Sequence, residues 1–153
     1  MFIRKVIQSL EQHNVPYALI GGYAVALHGV VRGTVDIDII ITLNPQVYEN
    51  AEAALMAIGL KPRLPLTSAE VFQFRQEYID QRNLKAWSFV NYSNPLEVVD
   101  ILIIEDLETM DTVIKRAFGL DITVVTIEAL IRLKRKSGRP QDIEDIQALE
   151  QLK

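Results

Sequence analysis

The feature that most constrains this chain is a pair of aspartates inside a β-branched run. Asp36 and Asp38 stand two residues apart between Val35 and Thr42, and every other residue of that run is Val, Ile or Thr. Such a run predicts a strand whose alternate side chains share a face, so both carboxylates should point the same way. Two acids on one apolar strand repel each other and are costly to bury unless a cation binds them. The alternative is a half-exposed strand with both aspartates facing solvent.

A diglycine precedes this strand and predicts a turn. Residues 17–20 form a short apolar run, and Gly21 and Gly22 separate it from a predicted helix over about 22–29. Backbone amides at such a strand-to-helix turn can approach phosphate oxygens because no Cβ intervenes. Taken alone, however, two adjacent glycines more often mark a turn or a site of close packing that has no binding role.

A third acid interrupts a later apolar run. Asp100 lies within residues 96–104, which we expect to form a hairpin with residues 84–91. Because neighbouring strands lie about 4.8 Å apart, Asp100 could approach the two earlier aspartates and complete a set of oxygen ligands. The chain has no cysteine and two histidines, so a metal site would be oxygen-based and would favour Mg²⁺ or Mn²⁺.

The remaining pattern mixes helices and strands. We therefore expect an α/β or α+β fold, with one mixed sheet flanked by helices, in a single domain over residues 1–153. Further helices are predicted at about 2–13, 46–58, 69–80, 107–118, 127–137 and 140–151, a strand at 121–125, and a loop or edge strand at 60–66.

Charge and hydropathy narrow the class of partner. The formal net charge is −4, which argues against a protein that wraps long nucleic acid. It does not exclude the binding of a single nucleotide whose charge a metal ion screens. No apolar run approaches the roughly 20 residues of a membrane span, so we expect no membrane association. The amphipathic first helix carries Glu11 and does not read as a signal peptide, so the expected location is the cytoplasm.

Taken together, the diglycine, the Asp-x-Asp and the lone later aspartate resemble a known family. The pattern is similar to the polymerase-beta-type nucleotidyltransferase superfamily, and within it to small stand-alone members and abortive-infection toxins. The matching residues are Gly21, Gly22, Arg32, Thr34, Asp36, Asp38 and Asp100. A weaker similarity lies in the tail, where Lys134 precedes Arg139, Asp142 and Asp145. The family's usual Gly-Ser is Gly-Gly here.

The resemblance implies a role for each matched position. Asp36, Asp38 and Asp100 would be catalytic and bind Mg²⁺ or Mn²⁺, with Asp100 beside the attacking hydroxyl. The residues that would bind the nucleotide are Gly21, Gly22, Arg32, Thr34 and Lys134. The implied reaction transfers a nucleoside monophosphate from a nucleoside triphosphate to an acceptor hydroxyl. The acceptor stays open, with RNA or protein among the candidates.

Rival interpretations accompany this one. The same fold would also suit a catalytically silent nucleotide-binding module, or an antitoxin-like module that binds a second small protein. For Arg32 the alternative is an ordinary charge on a surface loop. For Lys134 it is a basic residue that stabilises the C-terminal end of its helix.

Overall fold

The computed structural model describes residues 1–153 and contains one mixed sheet flanked by helices. Its elements, in chain order, are α1 (Phe2–Gln12), β1 (Tyr17–Ile20), α2 (Gly21–Leu27), β2 (Ile37–Ile41), α3 (Pro45–Met56), β3 (Lys61–Pro62), α4 (Ser68–Gln73), α5 (Arg75–Arg82), β4 (Ala86–Asn91), β5 (Asn94–Leu102), a 3₁₀ turn (Leu107–Thr109), β6 (Thr112–Ala117), β7 (Leu120–Val125), α6 (Ile127–Ser137) and α7 (Pro140–Glu150).

The seven strands lie in the order β3-β4-β5-β2-β1-β7-β6. Strand β2 is central: it pairs parallel with β5 and antiparallel with β1. Ile39 and Ile40 are successive residues of β2, so their side chains point to opposite faces, and both are fully buried. Both faces of the sheet are therefore covered at this strand.

The helices fall into two packed groups that local signals help to delimit. One group contains α1, α3, α4 and α5, and the other contains α2, α6 and α7. Asn44 caps α3 by accepting hydrogen bonds from the amides of Gln46 and Val47, and Thr126 caps α6. Gly138 ends α6 in the left-handed conformation. The helix start predicted at about 46 and both ends of the helix predicted over 127–137 are confirmed.

The predicted helix over 107–118 is wrong. Only Leu107–Thr109 form a 3₁₀ turn, and residues 112–117 form β6, which pairs antiparallel with β7. Two physical reasons favour the strand. Thr112, Val113 and Ile114 are successive β-branched residues, and the following Phe118-Gly119 turn has positive φ at both positions, as a tight hairpin requires.

Other elements also differ from the sequence prediction, and strand β5, expected over 96–104, runs from Asn94 to Leu102. The helix expected over 69–80 is broken at Phe74 into α4 and α5. Strand β2 starts at Ile37, so Asp36 lies in the bend just before it instead of within the strand. The 60–66 segment contributes the two-residue edge strand β3.

Replacement of Ile39 by Ala tests the importance of the covered sheet centre. Because Ile39 is fully buried, the truncation should lower the free energy of unfolding by about 2–5 kcal/mol. Urea denaturation measures the change. The matched control is Ile143→Ala: that side chain is 55% exposed, so its effect should stay within about 0.5 kcal/mol. Equal effects of the two substitutions would contradict the described core.

Candidate active site

Asp38 and Asp100 lie side by side in the middle of the sheet. They are register partners on the parallel strands β2 and β5, so their side chains leave the same face. On the other side of β2, Asp38 is the register partner of Ile20, the last residue of β1. The diglycine that follows Ile20 therefore starts next to the carboxylate pair.

Burial and mutual repulsion set the electrostatics of this group. The pKa of Asp38 is raised to about 7. Burial is the largest cause, and it is followed by the charge of Asp100, the hydrogen bond between Asp38 and Asp100, and the charge of Asp36. The pKa of Asp36 is also raised, first by burial and then by the charge of Asp100. The three acids are thus close enough to affect one another's ionisation.

Ser88 fixes the orientation of Asp100. It lies opposite Asp100 on β4, and its hydroxyl donates a 2.5 Å hydrogen bond to Asp100 Oδ1. Sequence reasoning missed this residue. The alternation of side chains along the strand could have identified it, because Ser88 is the polar residue between the buried Trp87 and Phe89.

Gly21 makes room for the carboxylates. Its φ is +67°, and a Cβ built there would lie 2.1 Å from Asp38 Oδ2. Any side chain would therefore be strained and would collide with the aspartate. Here the glycine is required both by the backbone conformation and by the close approach of the turn to Asp38.

Gly22 makes room for two other predicted nucleotide-binding residues. A Cβ at Gly22 would lie 2.3 Å from Arg32 Nη1 and 2.6 Å from Thr34 Oγ1. Thr34 also donates a 3.3 Å hydrogen bond to the backbone oxygen of Asp36. Arg32 and Thr34 are therefore at the diglycine turn, although their role in binding nucleotide stays a prediction.

Lys134 is not a free surface cation. It is 5% exposed, and its Nζ lies 3.4 Å from Asp142 Oδ1 and 2.9 Å from Asp145 Oδ2. It lines the same cavity as Asp38, but two carboxylates already neutralise its charge. Its contact with a nucleotide stays a prediction.

Arg139 is a cation of the site that sequence reasoning did not assign. Its Nε lies 3.0 Å from Asp142 Oδ2, and the side chain is 74% exposed. The hydrogen bond with Asp142 is the main reason that the pKa of Arg139 is raised, and the charge of Asp38 adds to it. The signal available in the sequence was its place in the tail similarity, between Lys134 and Asp142.

These groups surround one cavity of about 440 Å³. Asp36, Asp38 and Asp100 all line it, together with Gly21 and Arg139. Its other lining residues are Ile20, Lys85, Ala86, Leu102, Ile104, Glu105, Leu130, Leu133, Lys134, Lys136, Ser137 and Asp142. The structure thus brings the three predicted acids to one cavity, with an apolar wall beside them.

The donor set fits a hard divalent cation. Nowhere in the chain do three or more His, Asp or Glu side chains form a complete ligand cluster by themselves. Asp38 and Asp100 are the close pair, and Asp36 is an exposed third oxygen source. Mg²⁺ is usually held by one or two carboxylates together with water and substrate phosphates, so this open arrangement suits Mg²⁺ or Mn²⁺.

Comparison with known proteins decides the fold. No protein-family model matches the sequence, and no curated protein does. Among solved structures, the antibiotic-resistance factor ANT(2'')-Ia matches with a TM-score of 0.68 and 15% identity, over 97% of this chain and 80% of that one. The chain has the polymerase-beta-type nucleotidyltransferase fold.

Two further structures with the nucleotidyltransferase fold match almost the whole chain. The lincomycin-bound lincosamide antibiotic adenylyltransferase LnuA has a TM-score of 0.65 and 18% identity, over 99% of this chain and 96% of that one. TM1012 of Thermotoga maritima, a provisionally assigned nucleotidyltransferase, has a TM-score of 0.61 and 16% identity. The match covers 99% of this chain and 91% of TM1012. At these identities the likeness shows the fold and leaves the substrates to be proposed.

No helix of this nucleotidyltransferase-fold chain has the length and apolar character needed to cross a membrane.

The raised pKa of Asp38 predicts how stability depends on pH without divalent cations. The folded pKa is about 7 and the ordinary value is 3.8, so between them the folded protein binds more protons than the unfolded chain. The free energy of unfolding should therefore fall as pH rises through that window. The asparagine of Asp38→Asn cannot ionise, so the variant should not show this decline. The free energy of unfolding of the variant, relative to that of the wild type, should therefore increase as the pH rises toward 7.

Urea denaturation in EDTA at several pH values measures that difference. Asp121→Asn is the matched control, because Asp121 is 68% exposed and pairs with Arg116 at the surface. Its difference from the wild type should stay nearly constant over the same pH range. A pH-independent difference for Asp38→Asn would contradict the described carboxylate pair.

Proposed function

We propose that this protein is a Mg²⁺- or Mn²⁺-dependent nucleotidyltransferase that uses a nucleoside triphosphate. The observation that carries the proposal is the carboxylate pair on β2 and β5, directly beside a glycine turn that has no room for a side chain. Such a turn can present backbone amides to phosphate oxygens. The neighbour LnuA, which has the same fold, is a lincosamide antibiotic adenylyltransferase, and its activity belongs to the same reaction class.

Asp36, Asp38 and Asp100 are the residues that would hold the cation. When bound, a divalent cation supplies charge stabilisation for the oxygens that enter and leave phosphorus. Burial and, after it, repulsion by Asp100 raise the pKa of Asp38. A shared positive charge would offset both effects, because it favours the two ionised carboxylates. The site is thus destabilised by ionisation alone and stabilised by its proposed ligand.

The chain's own residues serve the transfer as follows. A hydroxyl oxygen of the acceptor forms a bond to the α-phosphorus, and the bond from that phosphorus to the β-phosphate oxygen breaks, so pyrophosphate leaves. Asp100 accepts the hydroxyl proton. Ser88 keeps the carboxylate oriented by donating to Oδ1. Gly21, Gly22, Arg32, Thr34 and Lys134 are the proposed nucleotide-binding residues.

The acceptor must reach the cavity beside Asp100. One wall is apolar, with Leu102, Ile104 and Leu133, and Lys85 and Lys136 are also in the lining. The volume of about 440 Å³ suits part of a substrate and not two large ligands, so a bulky acceptor would extend outside. An exposed hydroxyl of an RNA, a protein or a small molecule meets this requirement. The proposed location is the cytoplasm, where nucleoside triphosphates and Mg²⁺ are available.

Asp38→Ala tests the reaction and the metal site together. Incubation of the protein with each labelled nucleoside triphosphate and Mg²⁺ should release pyrophosphate when an acceptor is present. Loss of Asp38 should reduce that rate by more than about 100-fold, since even the outer partners of metal ligands cost 10–100-fold. Mg²⁺ with triphosphate at 100 times its dissociation constant should also stabilise the wild type by about 2.7 kcal/mol.

The matched control for this test is Asp121→Ala, which removes a surface carboxylate and should leave both readouts unchanged. Equal triphosphate and metal binding by wild type and Asp38→Ala would contradict the site. Metal-dependent triphosphate binding without pyrophosphate release would favour the silent nucleotide-binding module. Co-purification with a second small protein would favour the antitoxin-like module.

A further inference from the structure

Arg32 is held in place although it lies on an irregular loop. It stands between Gly29 and Gly33, in the connection from α2 to β2. Its side chain is nevertheless only 23% exposed, and its Nε lies 3.3 Å from Asp145 Oδ1. An exposed loop arginine gains little from an ion pair, because ordering the long side chain costs entropy. Here the partner is on α7, far along the chain, and is almost completely buried.

The guanidinium lies directly over the diglycine turn. Nη1 occupies the space where a side chain at residue 22 would begin, only 2.3 Å from a Cβ built on Gly22. The ion pair with Asp145 uses Nε and is the one charged contact of Arg32 in the protein. A guanidinium carries five N–H donors, so the Nη groups keep donors for an anion at this turn.

Asp145 is itself fixed from two sides. It is 3% exposed; Oδ1 faces Arg32 and accepts a 3.2 Å hydrogen bond from Gln141, while Oδ2 lies 2.9 Å from Lys134 Nζ. Lys134 is in turn paired with Asp142. A carboxylate buried this deeply is costly without such partners, and they restrict it to one orientation. The packing of α6 against α7 therefore sets the position of the carboxylate that Arg32 faces.

We propose that Asp145 is a positioning residue that holds Arg32 over Gly22, where the guanidinium binds phosphate oxygens of the triphosphate. This inference rests on the proposed function, since it assumes that the turn binds a triphosphate. It adds Asp145 to the nucleotide site, although Asp145 and Arg32 both lie outside the cavity lining. Asp145 acts through Arg32 and touches no substrate itself.

Asp145→Asn tests the proposal in the full chain. Asparagine keeps the side-chain size, and Lys134 keeps Asp142 as a partner. Calorimetric titration with inorganic tripolyphosphate and with ATP, each with Mg²⁺, should show at least about tenfold weaker binding, the value of one charged hydrogen bond. Arg32→Ala should weaken binding to the same degree, and the double variant should show no further loss. Mn²⁺ binding measured by electron paramagnetic resonance should not change.

Arg135→Ala is the matched control, because its 3.1 Å pair with Glu150 also joins α6 to α7 but is exposed. It should bind tripolyphosphate like the wild type. If Asp145→Asn binds as tightly as the wild type while Arg32→Ala does not, the positioning role is overturned and the nucleotide site survives. If the wild type binds neither triphosphate, the proposed function fails first.

A measurement on the wild type keeps the proposal falsifiable if Asp145→Asn does not fold. Nitrogen-15 NMR follows the exchange of arginine Nε–H protons with solvent. The Arg32 proton should exchange more slowly than that of Arg135, because the Nε of Arg32 faces a buried carboxylate. Equal exchange rates would show that Arg32 is not held and would overturn the proposal.

Discussion

Repulsion between two carboxylates at the centre of the sheet is the constraint to which the surrounding structure responds. Asp38 and Asp100 are register partners on parallel strands, so the fold itself forces them together. The neighbouring turn lacks a Cβ at Gly21, Ser88 donates to one Asp100 oxygen, and the charge of Arg139 acts on Asp38. These contacts lower the cost of the pair without removing it, and a bound cation would complete the compensation.

A second set of charges lies behind the first. Lys134, Asp142 and Asp145 are buried between α6 and α7, with Arg32 and Arg139 at the two ends of the network. Buried ion pairs of this kind are weak evidence for stability, because the free energy lost on removing the charges from water is about as large as the free energy gained from their attraction. Their effect is geometrical: they pair the guanidinium groups of Arg32 and Arg139 with buried carboxylates of α7.

Local signals predicted those elements that depend on local chemistry. Pro45, Thr126 and Gly138 delimit helices because caps and left-handed residues act over a few positions. The local pattern over 107–118 predicts a helix and is wrong there, because it contains no information on a pairing partner. Strand β6 exists because β7 lies beside it, and that hydrogen-bonded pairing is tertiary information.

By itself, the sequence determined the fold class, the spacing of Asp36 and Asp38, and the absence of cysteine ligands, because residue types and short-range periodicity are written along the chain. Only the tertiary structure decided that Asp100 is the register partner of Asp38, and that Asp145 reaches Arg32 over more than a hundred residues. Such contacts depend on strand order and on how helices pack. Both come from burying the whole apolar surface at once, which no local pattern encodes.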